Sequence, residues 1–554
     1  MTRVLTRTWR RLPRYTQRVT RTVTALLLAT FPASGAPAAQ QELSRDFQKT
    51  ISLAAGQSVR IENKFGEVKV HGESGRDVKI FAKIHVQGDD NARAQSLLDK
   101  IQISVEQTSQ GLRIATVYPD AHLVHVEVFG LRIGGRPSYS VDYDVAIPSD
   151  APLTIKNSFG SVNTTGAHGN SDLENSHGSL VVRDSGPVRL NNSFGSVDLV
   201  GAIGDAFINN SNAPVQASDI KGALDLRDRF GSITVRNIQG AASIVGGNGA
   251  VNVSDAGSAA ITTSFGNAEI RNIRGDLTLH DNNGNVDISS IGGAADISNS
   301  FGNVTFSDVK GRLNCTTSNA RVKGSSASGS AVTIRDSFGE IELDNIAGAL
   351  DAETSNGKII VHDARGSATL RTSFGAIEAA NIPKGLRAVT GNGSIVIADI
   401  GADAYAKTSF GSVQAERVNG NLTVENNNGS VLAKNIKGDA RVDTSFAGVT
   451  LESIGGKIAV DNQNGAISVT AARPAGGCRD ISLKTSFSSI RVRIPDGMGY
   501  NLSARTSFGR ISSDLPVTST GSIGGDSLNG TIGSGGCALQ LTDSNGSIEI
   551  AKAP

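Results

Sequence analysis

Apolar and polar residues alternate along most of this chain in bursts too short for helices. Written in nines, its middle falls into line as Gly284-Asn-Val-Asp-Ile-Ser-Ser-Ile-Gly292, Gly293-Ala-Ala-Asp-Ile-Ser-Asn-Ser-Phe301, Gly302-Asn-Val-Thr-Phe-Ser-Asp-Val-Lys310 and Gly311-Arg-Leu-Asn-Cys-Thr-Thr-Ser-Asn319. Alternation at period two, carried by β-branched residues such as Val286, Ile288, Val304 and Ile341, predicts short strands with one buried face. Glycine between strands reads as the residue that supplies positive φ at a sharp corner. One nonapeptide ends in Phe or Asn and the next in an Ile-x-Gly turn, as at Ile273, Ile291, Ile346 and Ile436, so two together make a unit of about 18 residues.

A larger period confirms the unit. Phe159, Phe194, Phe230, Phe265, Phe301, Phe338, Phe374, Phe410 and Phe446 recur at 35 to 37 residues, and Phe487 and Phe508 continue the series less regularly. Halfway between them lie His177, Asn212, Asn248, Asn283, Asn319, Asn356, Asn392, Asn428 and Asn464, each followed by Gly or Ala. A fixed interval of this size marks stacked repeats, and strands this short bury their apolar faces only by lying on the next unit. The fold class is therefore all-β: a single-chain parallel β-solenoid, a β-helix expected to wind right-handed, with about 18 residues per coil. A 36-residue coil would enclose a wider section than Val, Ile, Leu and Ala fill at normal interior density. With 18, a Phe returns every second coil, about 9.6 Å away, beyond ring pairing distance. The Phe row reads as corner filling, and burial would make Phe301→Ala cost about 3 kcal/mol or more. An exposed ligand-gripping stripe is the alternative. The Asn row reads as turn residues that tolerate left-handed geometry before it reads as a sugar-binding ladder.

The organisation expected is a signal peptide at 1–39, an N-terminal β cap at 40–150 with a short helix near 91–101, a regular solenoid at 151–470, and irregular coils with a cap at 471–554. Residues 1–39 hold seven arginines and no acid, then the apolar run Val23 to Phe31, then Ala36-Pro37-Ala38, the order of a secretory leader. The apolar run is about half of what a spanning helix needs. Asp89 or Asp90 would cap the helix, with Leu97, Leu98 and Ile101 facing inward. About 17 or 18 coils fit between Asn157 and Thr470, and the N-terminal segment would cover the first one, blocking its open edge.

Removing the leader takes seven of 53 basic residues, leaving 46 against 52 acidic ones, a net charge of −6. Such a chain lacks the basic footprint of a nucleic-acid binder. Export leaves three cysteines, Cys315, Cys478 and Cys537. If Cys478 and Cys537 mark the same corner three coils apart, about 14 Å separates them, twice the reach of a disulfide. Free thiols are expected, with Cys315 facing inward as a small hydrophobe.

No catalytic motif, phosphate loop or His-Glu-x-x-His is present, and no residue is singled out as catalytic, cofactor-binding or metal-ligating. His122 and His125 stand at a spacing that sends them to opposite faces of a strand. Asp281, Asp308, Asp336 and Asp399 share no common register of the kind a calcium roll needs. Trp9 leaves with the leader, and Tyr118, Tyr139, Tyr143, Tyr405 and Tyr500 are scattered, whereas glycoside cleavage needs two placed carboxyls in a lined groove.

Asn157-Ser-Phe-Gly-Ser-Val162, Asn427-Asn-Gly-Ser-Val431, Ile61-Glu-Asn-Lys-Phe-Gly-Glu-Val68, Val145-Ala-Ile-Pro-Ser149 and Asp543-Ser-Asn-Gly-Ser-Ile-Glu-Ile550 resemble the bacterial putative-adhesin β-strand-repeat family, a domain of unknown function. The resemblance spans about residues 50–552 and implies an adhesin-like fold with no catalytic residues to carry over. The expected function is an exported, periplasmic or cell-surface, non-catalytic solenoid binding envelope glycans or protein partners through a repetitive surface, with no cofactor and no membrane segment after the leader. A β-helix polysaccharide lyase or hydrolase is the alternative from another class. A structural or stress-associated envelope spacer is the third reading.

Overall fold

The computed structural model describes residues 41–88, 90–119, 138–473, 477–519 and 525–553. The expected leader, Trp9, His122, His125 and Pro474 lie outside them. The fold is a parallel β-solenoid of about 18 regular turns with about 18 residues per coil. Asp281 pairs with Asn299 and Asn299 with Thr317, one repeat apart each time, which rules out the 36-residue coil.

Each coil contributes two strands, one to each of two parallel sheets that face each other. In one coil these are Ala295–Phe301 and Val304–Val309. Ala295 and Ile297 from the first and Val304, Phe306 and Val309 from the second are all buried. Alternation therefore fills a narrow interior with Ala, Val, Leu and Ile from both sheets, as the sequence pattern requires. Phe306, a large ring inside the regular coils, has a local explanation. Its partner in the next coil is Gly324, where an added Cβ would lie 1.9 Å from the Phe306 ring. Cys315 is also buried, and burial pushes its thiol up to about 12.

Corner chemistry departs from the sequence reading. Positive φ falls at the Ile-x-Gly side of the coil, on the non-glycine row Asp255, Asn272, Ser290, Asp308, Ser326, Asn345, Asp363, Asn381 and Asp399, and not at the Asn of the Asn-Gly corners; of the eight Ser-Phe-Gly glycines, Gly160, Gly195, Gly266 and Gly302 have it and the other four do not. Small polar residues accept left-handed geometry through local hydrogen bonding. The Ser-Phe-Gly and Asn-Gly glycines answer a further demand. A Cβ on Gly375 would sit 1.8 Å from the carbonyl oxygen of Gly357, and one on Gly393 the same distance from that of Gly375. Glycine is there because successive backbones approach closely.

Both ends break the sequence order of coils. At the N-terminal end, Ser58–Glu62 lies between Gly111–Val117 and Leu153–Phe159, so the second segment of chain is the outer one. Gln41–Ser52 and Asp77–Gly88 pair antiparallel, and the latter pairs antiparallel with Ser138–Pro148. A helix, Asn91–Lys100, packs on these strands; the Asp90 carboxylate caps it by accepting from Ala92 and Arg93, and Ala94, Leu98 and Ile101 are buried. Leu97 is half-buried against the same core.

At the other end the last coil is intercalated. Cys537–Thr542 pairs with Ile481–Lys484 on one side and with Tyr500–Arg505 on the other. Cys478 and Cys537 therefore sit on adjacent coils and form a disulfide, with Cα atoms 5.8 Å apart. The expectation of free thiols fails because it assumed that coils stack in sequence order. Beyond Tyr500–Arg505, Ser527–Ile532 and the three-residue strand Val517–Ser519 pair antiparallel. Antiparallel strands therefore lie at both ends of the parallel stack, 12 residues long at the N-terminal end and as short as three at the C-terminal end, an arrangement of the kind that covers open sheet edges.

Candidate functional site

The corner that joins the first sheet to the second is built the same way in coil after coil. Two residues before its apex, a polar side chain turns inward and is buried: Asn157, Asn175, Asn192, Asp281, Asn299, Thr372, Thr408 and Asn426 are examples. Asn299 donates to the carbonyl of Gly302 in its own corner, at 3.0 Å, and to that of Gly284 one coil earlier, at 3.1 Å. Thr372 accepts from the Gly375 amide at 3.2 Å and donates to the Gly357 carbonyl at 3.1 Å. These bonds satisfy corner backbone groups that would otherwise be buried without partners. They also take up the interior of the bend, leaving the residue at the apex nowhere to go but outward.

That apex is the phenylalanine row, and every ring of it from Phe159 to Phe508 is exposed, by 43% at Phe159 and 84% at Phe508. The corner-filling reading is overturned. Period two carries Ala295, Ile297 and Asn299 inward and would carry Phe301 inward too, but the chain bends after Asn299, so parity no longer reports the side. A signal was present in the sequence. The position two before each Phe is polar in nearly every coil, and Asn occupies the same row as Phe in alternate coils, which a buried aromatic row would not allow.

From Phe159 onward, Phe and polar residues alternate along this ridge. Phe159 pairs with His177 and His177 with Phe194; Phe265 faces Asn283, which faces Phe301, which faces Asn319. The alternation survives the intercalated coil. The Asn545 amide bonds the Ser486 carbonyl beside Phe487, and the Phe508 amide bonds the Ser544 carbonyl beside Asn545, so the spatial order is Phe487, Asn545, Phe508 although the sequence order is not. From Phe159 to Phe508 the row is on the order of 100 Å long at about 4.8 Å per coil.

The ridge has a defined start. Phe65 stacks on Phe159 at 5.3 Å, Phe159 on His177 at 4.5 Å and His177 on Phe194 at 4.8 Å, while Tyr118 and Tyr139 meet the Phe65 ring edge-on at 5.5 and 5.3 Å. Along the rest, several Asn side chains are pinned: Asn212, Asn428 and Asn545 each donate to the Ser carbonyl of the neighbouring coil, at 3.0, 3.2 and 2.9 Å. One N–H and the amide oxygen of each remain unspent.

Elsewhere the charged groups are engaged along the coils. Lys323, then Arg321, hold the Glu342 carboxyl below the usual range; Lys407 does so for Glu425 and Arg417 for Asp399. Carboxyls held down in this way are poor general acids near neutral pH. Among the described residues no group of three or more His, Cys, Asp or Glu is placed to hold a metal ion, and no helix is long and apolar enough to cross a membrane. Asp281 and Asp336 turn inward in the corner row, whereas Asp308 and Asp399 belong to the positive-φ row on the other side of the coil.

Asp281 provides a test of the corner row. Burial pushes its carboxyl above the ordinary carboxylate range, against the amides of Asn282, Asn283 and Gly284 that favour the charged form. The folded chain therefore holds this proton more tightly than the unfolded one. Its contribution is complete below the unfolded value and is lost as pH rises through the folded one. Asp281→Asn, which places there the amide that Asn299 already uses one coil on, is expected to stabilise the protein by about 1 kcal/mol at pH 7, with the gain vanishing near pH 3. Thermal melts of both proteins across that range check it.

No protein-family model matches the chain, and neither does any curated protein. Among solved structures, it is similar to a "putative cell adhesion protein" from Clostridium sporogenes ATCC 15579, at 10% identity over 53% of this chain and 100% of that one, with a TM-score of 0.16. It is also similar to a "putative adhesin" from Parabacteroides distasonis ATCC 8503, at 11% identity over 72% and 97% of the two chains, with a TM-score of 0.12. Likenesses of this size establish neither a shared fold in detail nor a shared role.

Proposed function

We propose that this protein is an exported, non-catalytic, adhesin-like rod that binds an extended partner on the cell envelope along its Phe–Asn ridge. The observation that carries this reading is the exposed aromatic row itself. Single exposed apolar residues are ordinary, but an aligned series of rings is the kind of surface that marks an interaction site. Weak contacts repeated along a stiff scaffold add up to avidity without any one deep pocket. Export is supported by the Cys478–Cys537 disulfide, since such bonds persist in oxidising compartments.

The reading is tested by substituting one, two and then four of Phe301, Phe338, Phe374 and Phe410 with serine and measuring cosedimentation with isolated bacterial envelopes. Retention should fall stepwise, by about threefold or more per ring if each contributes about 0.7 kcal/mol. Retention that ignores the number of rings removed would place binding on another face.

A further inference from the structure

On the reading that the ridge is the binding surface, we infer that its ligand is an uncharged β-1,4-linked glycan in which chains are packed side by side, lying parallel to the rod. Four properties of the ridge converge on that chemistry. The first is the neutrality of its apices from Phe301 to Phe410, whereas Arg229 stands beside Phe230 nearer the start. The triplets Ser300-Phe301-Gly302, Ser318-Asn319-Ala320, Ser337-Phe338-Gly339, Ser355-Asn356-Gly357, Ser373-Phe374-Gly375, Gly391-Asn392-Gly393 and Ser409-Phe410-Gly411 contain no charged residue. A polyanion would be held by Lys and Arg at such a surface, and none is supplied at these apices.

The second property is the pairing of group types. A pyranose has a C–H face, which packs on the electron-rich face of an aromatic ring, and a rim of hydroxyls that both donate and accept. Phe supplies the ring, and Asn212, Asn356, Asn428, Asn464 and Asn545 each supply an unspent N–H and carbonyl oxygen held in place by a bond to the neighbouring coil. The third is period. In an extended β-1,4-linked chain successive sugars turn over, so the same face returns once per disaccharide. That length is close to the ridge's ring period of about 9.6 Å.

The fourth is shape. The rings stand on the outer corner between two sheets, exposed by half or more at Phe194, Phe230, Phe265, Phe301 and the rings that follow. Sites for soluble ligands are concave and enclose most of what they hold. A row on an outer corner encloses nothing and instead suits a face offered by many aligned chains. A polyproline-type peptide has a similar period, about 9.3 Å per turn, but such peptides dock in aromatic-walled grooves, which an outer corner does not provide.

The experiment uses the full exported chain and a variant carrying Phe301→Ser, Phe338→Ser, Phe374→Ser and Phe410→Ser, matched for melting temperature. Each is cosedimented with microcrystalline cellulose, with chitin and with granular starch, whose sugars are α-linked. The expected result is retention on cellulose or chitin that is at least tenfold weaker in the variant, with little on starch. No retention on either β-1,4 polymer, equal retention of the variant, equal retention on starch, or release by a soluble polyproline peptide would each overturn the assignment. If envelope binding still depends on the rings while the β-1,4 polymers fail, the ridge remains a binding surface and only the glycan is lost; if both fail, the reading beneath it falls as well.

Discussion

Removing the Cys478–Cys537 bond, by reduction or by Cys478→Ser with Cys537→Ser, is expected to lower the stability of the C-terminal end by about 2–4 kcal/mol while leaving the middle of the rod as it was. The bond closes a loop of 59 residues, and cross-linking across a loop of that size withdraws much conformational freedom from the unfolded chain. What it holds is the intercalated coil, whose strands Cys537–Thr542 and Ile548–Lys552 are sandwiched between those of two others. In a solenoid each coil contacts only its neighbours, so the damage stays local. Hydrogen exchange under oxidising and reducing conditions checks this. Protection should be lost at Cys537–Thr542 and Ile548–Lys552 and kept at Ile377–Ile382 and Ile395–Ile400. Uniform loss along the chain would contradict the nearest-neighbour picture, and no loss anywhere would contradict the staple.

Two phenylalanines five positions apart should respond oppositely to the same substitution. Phe301 is 53% exposed at the ridge, whereas Phe306 is 1% exposed and fills the space beside Gly324. Phe306→Ala is expected to cost about 3–5 kcal/mol, because the cavity it leaves is lined by strands that the coil register holds apart. Phe301→Ala is expected to cost less than about 0.5 kcal/mol, as for other surface changes away from special features. Denaturant unfolding of the two variants beside the parent decides it. A large cost at Phe301 would return that ring to the interior and remove the ridge.

The contrast shows where the sequence was legible. Repeat length, the parallel stack, the helix capped by Asp90 and the inward Cys315 all follow from local periodicity or a local cap, and local signals are written in the chain directly. The three misreadings share another cause. Whether Phe301 faces in or out depends on the bend after Asn299; whether a corner glycine is needed for φ or for clearance depends on the backbone of the coil beneath; and whether Cys478 meets Cys537 depends on which coil is inserted where. Each is a relation between coils, and strand parity carries no information about it. The candidate site was thus visible as a row of residues but not as a surface. The polar side chain two before each apex, and the Asn sharing the row in alternate coils, were the clues to its direction.

The exposed rings are proposed as the part of the molecule that binds. The most direct measurement is cosedimentation of the full exported chain with bacterial envelopes, run beside the variant with serine at Phe301, Phe338, Phe374 and Phe410, with both proteins melting at the same temperature. Capture of the parent and at least tenfold weaker capture of the variant is the expected result. Equal capture of two equally stable proteins would contradict it.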